Sequence, residues 1–335
     1  VRMPSKLESL PRELLWAVID YAPESVFNLK QTSQLLRTRV NEIARDSSLV
    51  NKLVLSKADL EAYEYQHHRP LLQVRMMISK HQSQLFETLL LLSEPPMALS
   101  DIRRGQLFVN VVGDVTYSIT LYTEYDVEYV CRCLGRRIGS TEIENCKDER
   151  ELSVACKILD GKQIGKLRFN TTTITDYIAE FVLNTLEKHH PDELNLTIEH
   201  FKTNRDPRSF LLDASSSIQS MVLCHRKMRT IRKTQPCFPT MDSADWASTI
   251  LDMFSRKMDK LSLHASISGM IAHDSLDMIR ERLPNMGKPI CFFTSCDLAY
   301  SDGSASYTEN SHRVDFNVRS FTIKHITRAH EVMKF

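Results

Sequence analysis

Glycine is scarce in this chain, 9 in 335 residues. Neither GxxxxGK[S/T] nor GxGxxG occurs, so the glycine-built phosphate cradles are excluded. HExxH and GxSxG are also missing, which removes the common metalloprotease and nucleophile-elbow readings. Cys131-x-Cys133 and Cys291-x4-Cys296 have no second pair at zinc spacing. His67 and His68 are adjacent, so on a helix they diverge and make no metal pair. No catalytic residue, cofactor or metal ligand is therefore nominated.

An excess of charge of one sign is lacking too. Lys and Arg number 43 against 42 Asp and Glu, a net charge of +1. Nothing drives the whole chain onto nucleic acid or an acidic membrane. No apolar run approaches the length of a membrane span. The best candidate, Leu85 to Leu92, is broken by Glu87 and stopped by Glu94-Pro95-Pro96. The 8 cysteines are scattered among apolar neighbours, the pattern of buried free thiols in a reducing compartment. A cytoplasmic or nuclear location is the expectation. On that view the sequons at Asn170-Thr171-Thr172 and Asn195-Leu196-Thr197 are chance matches.

What is present is an ordinary globular composition, 42% hydrophobic and 25% charged, enough for one large core or two smaller ones. The first part stands apart from the rest. Leu7 to Arg45 reads as three short helices. Ser9 is the expected N-cap, with Pro11 in the first turn, where its missing N–H costs nothing. Glu13 favours the helix dipole. Leu14, Leu15, Val18 and Ile19 make the apolar face. Tyr21-Ala22-Pro23 ends this helix, because the residue before proline leaves the α region. A second turn or helix runs from Glu24 through Leu29. A third, from Ser33 to Arg45, carries Leu35, Leu36, Val40, Ile43 and Ala44 on its apolar side. Three helices in roughly 40 residues bury little surface alone. Such a module leaves apolar side chains for a partner or a neighbouring domain.

These residues resemble an F-box. The family's opening Leu-Pro-x-Glu-Leu-Leu matches Leu10, Pro11, Glu13, Leu14 and Leu15, followed by Val18 and Ile19. The mid-motif proline matches Pro23 and the later leucine Leu29. The third helix departs from the family: Thr32-Ser33-Gln34-Leu35-Leu36-Arg37-Thr38-Arg39 has no tryptophan. The wording resembles in particular the divergent F-box proteins numerous in nematodes. The resemblance covers about the first 50 residues. It implies that Leu10, Pro11, Leu14, Leu15, Ile19, Pro23 and Leu29 bind a Skp-type adaptor, and through it a cullin.

Residues 51–105 read as a helical linker, with an extended piece at its start and a helix from Pro70 to Leu92. From Gln106 the rhythm changes. LFVNVV and YSITLYTE flank Gly113-Asp114 as a hairpin. Helices are expected at Asp126–Ile138, Asp148–Gly161, Ile174–His190, Ser243–Lys257 and His273–Leu283. Strands are expected at Ser140–Cys146, Ile164–Asn170, Glu193–Glu199, Ser217–His225, Lys260–Ser266 and Pro289–Cys296, with a longer one over Arg313–Ile326. Most strand starts fall about 24 to 29 residues apart, a repeat spacing. Only a Leu-x-Leu core recurs, at Leu167-x-Phe169, Leu194-x-Leu196 and Leu261-x-Leu263, without an asparagine ladder. The expected architecture over 106–335 is α/β: an irregular leucine-rich-repeat-like strand–helix solenoid, with a single open α+β sheet as the alternative. The polar loop Asp297 to Ser311 is expected to sit within a terminal hairpin that closes the sheet edge.

Arg226 to Lys233, RKMRTIRK, is the one dense basic run. It is read as a solvated loop rather than a patch for an acidic partner, phosphopeptide or nucleic acid. No aromatics interleave it for base stacking. The expected role is therefore that of the substrate-receptor subunit of a Skp–cullin–F-box ubiquitin ligase, non-catalytic, holding an unidentified protein target. The alternative is a non-degradative interaction scaffold with an F-box-like cap.

Overall fold

A computed structural model describes residues 7–22, 25–46, 49–58, 70–80, 82–83, 85–86, 108–109, 114–225, 241–263, 271–288, 290–297, 309–317 and 320–326. Both compact units of the chain, 1–165 and 166–335, are mixed α/β.

The first unit opens with α1 (Arg12–Tyr21), α2 (Ser25–Thr32) and α3 (Gln34–Asp46). Then come β1 (Val50–Ser56), β2 (Leu72–Ser79), the short β3 (Phe108–Val109) and β4 (Asp114–Leu121). Next are α4 (Glu124–Cys133), β5 (Arg137–Glu144), α5 (Glu149–Leu159) and the first residues of β6 (Gln163–Ile174). β2 lies between β1 and β4, antiparallel to both, and β1 pairs with β5 in parallel. β3 pairs antiparallel with β4, Phe108 opposite Thr116, the expected hairpin.

The helix expected from Pro70 gives way to strand β2. Leu72, Val74, Met76 and Ile78 are all fully buried. Their strict alternation with Gln73, Arg75 and Met77 is a period of two, which puts one apolar face on a sheet. The linker 51–105 is thus not helical over its first described part: it supplies two neighbouring strands. Residues 80, 82–83 and 85–86 of the expected helix are helical, and 87–92 lie outside the described residues. α4 and α5 begin in full capping boxes. Thr123 and Asp126 exchange bonds in the first, Asp148 and Glu151 in the second. Asp126, expected as a cap, is the third helical residue of its box.

The second unit continues with α6 (Asp176–His189), β7 (Glu193–Phe201), α7 (Pro207–Ser215), β8 (Ser220–His225) and α8 (Ser243–Ser255). It ends with β9 (Lys260–Leu263), α9 (His273–Arg282), β10 (Ile290–Asp297), β11 (Glu309–Asn317) and β12 (Ser320–Ile326). Strands β6 to β10 lie side by side in chain order and are parallel. β11 and β12 then add antiparallel, so the expected long strand over 313–326 is a hairpin. α7 was not expected from the sequence. Asp206 caps it by accepting from the Ser209 N–H, and Pro207 fills its first turn.

The register across these strands never slips. Lys166, Glu193, Ser220, Lys260 and Cys291 stand level, at separations of 27, 27, 40 and 31 residues. One step on, Leu167, Leu194, Met221, Leu261 and Phe292 form a buried row. Two further on, Phe169, Leu196, Leu223 and Leu263 form another. A side-chain period of two keeps each row wholly on the core face. The turns before the strands are stacked as well. The Gln219 N–H donates to Asp192 O at 3.0 Å, Asp259 N–H to Gln219 O at 2.9 Å and Cys291 N–H to Asp259 O at 2.8 Å.

A lysine repeats this backward reach. Lys257 Nζ donates to Ser217 O at 3.3 Å, in the preceding helix–strand turn. Lys288 Nζ donates to Arg256 O and Met258 O, each at 2.7 Å. In the first unit Lys162 Nζ donates to Leu134 O at 2.7 Å and Cys131 O at 3.0 Å, at the end of α4. Each ammonium supplies donors where a helix leaves its last carbonyls unpaired.

Candidate protein-docking surface

α1 divides its apolar residues between two stripes. Leu15 and Ile19 are buried, with Leu29 of α2 and Leu36, Val40 and Ile43 of α3. They form the inside of the three-helix module. Leu14 (53% exposed), Val18 (38%) and Tyr21 (93%) lie on a different stripe, at i, i+4 and i+7. That spacing places them on one side of a helix. Among the described residues, Leu7 and Leu35 are further large exposed apolar residues of this module.

Sequence reasoning put Leu14, Leu15, Val18 and Ile19 on one face, because adjacent pairs such as Leu14-Leu15 differ by only about 100° around the helix. Packing separates them. Of the residues that the resemblance assigns to adaptor binding, Pro11 and Leu14 are exposed and Leu10 is half-buried. Leu15, Ile19 and Leu29 point inward. Pro23 lies outside the described residues.

The start of α1 is set differently from expectation. Pro11 occupies the N-cap position with φ −52° and ψ 150°, and no side-chain cap bond is made. The ring's fixed φ suits an extended residue just ahead of the helix. Positioning comes from Arg39 on α3. Its guanidinium donates to Glu8 O at 2.6 Å and to Leu10 O. A planar fork bonding two carbonyls holds the segment before α1 against α3. α3 itself is capped by Ser33, whose Oγ accepts from the Leu36 N–H at 3.1 Å.

The second unit offers a sheet face of different character. Opposite the buried rows, Lys166, Arg168 and Lys260 are exposed, and Asn195, Val222 and Ser262 are half-buried. Asn170, Thr197 and Cys224 continue it, also half-buried. Lys166 bridges Glu193 at 3.3 Å across the strands. Burial raises the Cys224 thiol's pKa, partly offset by a bond with Thr197 and by the charge of Arg168.

At the far end of β7 a cavity of about 320 Å³ opens beside Phe201, Pro207 and Met241, with Arg205 and Arg208 on its wall. Both guanidiniums are engaged: Arg205 with Asp213 at 2.6 Å and Arg208 with Asp252 at 2.7 Å. Among the described residues, no group of three His, Cys, Asp or Glu could hold a metal ion. Among them, too, no helix is long and apolar enough to cross a membrane. Cys131, Cys133, Cys146, Cys156, Cys224 and Cys291 are free thiols. Compared with known proteins, the chain matches no family model, no curated protein and no solved structure.

Proposed function

We propose that this chain is a substrate receptor of the Skp–cullin–F-box type: α1 docks a Skp-type adaptor, and the second unit holds a protein target. The role is non-catalytic. It contributes proximity, while the bond-making groups lie on other subunits. The observation that carries the reading is the exposed stripe Leu14–Val18–Tyr21 on a helix that opens Leu10-Pro11-Arg12-Glu13-Leu14-Leu15. An apolar stripe on one side of a helix, with a second apolar stripe holding that helix to its own module, is a surface suited to a partner's groove. The level rows of β6 to β10 and the recurring lysine support the irregular repeat reading of the second unit, in which neighbouring strand–helix pieces bury one another.

The test is binding of the full chain to purified Skp adaptor, beside Leu14→Asp and Val18→Asp variants. Both positions are exposed, so the variants should fold, which a thermal melt checks. The expected result is binding by the parent and its loss in both variants. Equal binding by all three would remove α1 as the docking element. No binding by the parent would favour the scaffold role.

A further inference from the structure

We infer that Tyr21 is a phosphorylation site whose modification closes the docking stripe of α1. The inference rests on α1 being the adaptor-docking element. Tyr21 is 93% exposed, against 48% for Tyr125 and 38% for Tyr177. The Tyr125 ring also lies under the Arg132 guanidinium, 5.9 Å from its centroid. Among the described residues, no partner holds the Tyr21 hydroxyl. Tyr21 is the last residue of α1, and Ala22, next in the chain, has already left the helix with φ −134° and ψ 75°. The final helical bond runs from the Ala22 N–H to Val18 O. A kinase takes its acceptor on a chain that can extend, and here only a frayable last turn has to open.

The step is a phosphoryl transfer. The phenol oxygen bonds to the γ-phosphorus of ATP, and the bond from that phosphorus to the β,γ-bridging oxygen breaks. ADP leaves with the electron pair, and the phenolic proton passes to the kinase's base. The product carries about −1.5 to −2 charges at pH 7. That charge lands at a helix C-terminus, where unpaired carbonyls already form the negative end of the dipole. No basic residue stands in the last turn to pair with it, and Asp20 is its neighbour in the chain. It also lies in line with Leu14 and Val18, so a partner seated on that stripe would have to desolvate it. Docking is lost while the buried Leu15 and Ile19, which hold α1 in its module, are untouched.

The experiment treats the full chain and its Tyr21→Phe variant with Mg·ATP and the catalytic domain of a soluble tyrosine kinase. Phosphopeptides are mapped, and each sample is titrated with purified Skp adaptor. Tyr21 is expected to be labelled ahead of Tyr125 and Tyr177. Phosphorylation should weaken adaptor binding by the parent about tenfold or more, and a phosphatase should restore it. Tyr21→Phe keeps the ring, so it should bind as the untreated parent does, before and after kinase treatment. Labelling of Tyr21 no faster than of Tyr177 would overturn the inference. So would an equal loss of binding in treated Tyr21→Phe. Adaptor binding within about twofold after phosphorylation of Tyr21 removes this inference and leaves the docking reading in place. No binding by the untreated parent removes the docking reading, and the switch falls with it.

Discussion

Lys288 Nζ lies 2.7 Å from the carbonyl oxygen of Met258, one strand–helix step earlier in the chain. Lys162 makes the same kind of contact with Leu134. Burial holds the pKa of both ammonium groups below the ordinary value. The bonds to carbonyls therefore offset a desolvation cost rather than add freely. Replacing either lysine by methionine keeps the stem but leaves two carbonyls unpaired. The expected loss is about 1.5–3 kcal/mol per site, by the usual worth of a hydrogen bond to a charged group. Urea unfolding of Lys162→Met and Lys288→Met checks it. A loss near zero at both sites would mean that water serves those carbonyls equally well.

Two glycines mark a close approach of strands in the first unit. A Cβ on Gly139 would sit 2.7 Å from Asn51 O, and one on Gly165 would sit 2.7 Å from Gly139 O. Each obstacle is a backbone oxygen, which cannot rotate aside. Gly139→Ala and Gly165→Ala should each destabilise by about 1–3 kcal/mol, the cost of overpacking. Gly161→Ala is a useful contrast: its Cβ meets nothing, but its φ of +66° is strained for any side chain. All three should lower the melting temperature. Only the first two should also open the exchange of amides in β1 and β5.

Much of the second unit is legible in the sequence because its helices and strands have clean periods and strong caps. Thr175, Asp206 and Asp242 each cap the helix that follows them. α7 was still missed, although Asp206-Pro207 carries a start signal, because its nine residues are short and polar-ended. β2 was misread because it runs straight into the helical spacing of Leu85, Phe86, Leu89 and Leu90, whereas the tertiary sheet rewards the alternation of Leu72, Val74, Met76 and Ile78. Choosing between the Leu14 and Leu15 stripes needs the position of α3. The clamp of Arg39 on Glu8 and Leu10 joins residues about 30 apart through backbone carbonyls, which leave no side-chain signature.

The thiols should react in order of exposure. Burial pushes the pKa of Cys133 and of Cys146 up to about 12. Each is therefore almost wholly protonated at pH 8, and the thiolate is the reactive form. Cys156 is exposed on α5. Brief alkylation at pH 8 followed by peptide mapping should label Cys156 well before Cys133 or Cys146, and denaturant should erase the difference. Early labelling of Cys146 would contradict its place in the core of the first unit.

Asp176 gives a pH signature to the loop after β7. Its carboxylate accepts from the Thr203 hydroxyl, from the Asn204 N–H at 2.9 Å and from Asn204 Nδ2 at 3.0 Å. These bonds, the Thr203 hydroxyl foremost, hold its pKa below the ordinary 3.8. A depressed folded pKa means that the contribution is present above 3.8 and is lost as pH falls through the lower folded value. Carboxylate titration by NMR should find Asp176 below the ordinary 3.8, and Thr203→Val should move it up. An unchanged midpoint in Thr203→Val would assign the shift to Asn204 instead.

The two tryptophans fall one in each unit, so they separate the docking event from the fold of the second unit. Trp16 is half-buried on α1, on the side of the helix away from the exposed stripe, and Trp246 is fully buried on α8. Iodide should quench Trp16 emission in the parent and leave that of Trp246 nearly untouched. A Trp16→Phe variant should thus show a blue-shifted emission that resists quenching. Adding the Skp adaptor should leave Trp16 quenchable in the parent, because a partner seated on Leu14, Val18 and Tyr21 covers the other side of α1. The adaptor carries its own fluorophores, so the difference between parent and Trp16→Phe complexes isolates the Trp16 signal. Adaptor binding that leaves Trp16 as quenchable as before agrees with docking on that stripe. Adaptor binding that shields Trp16 would place the partner on another side of α1 and overturn the assignment of Leu14, Val18 and Tyr21.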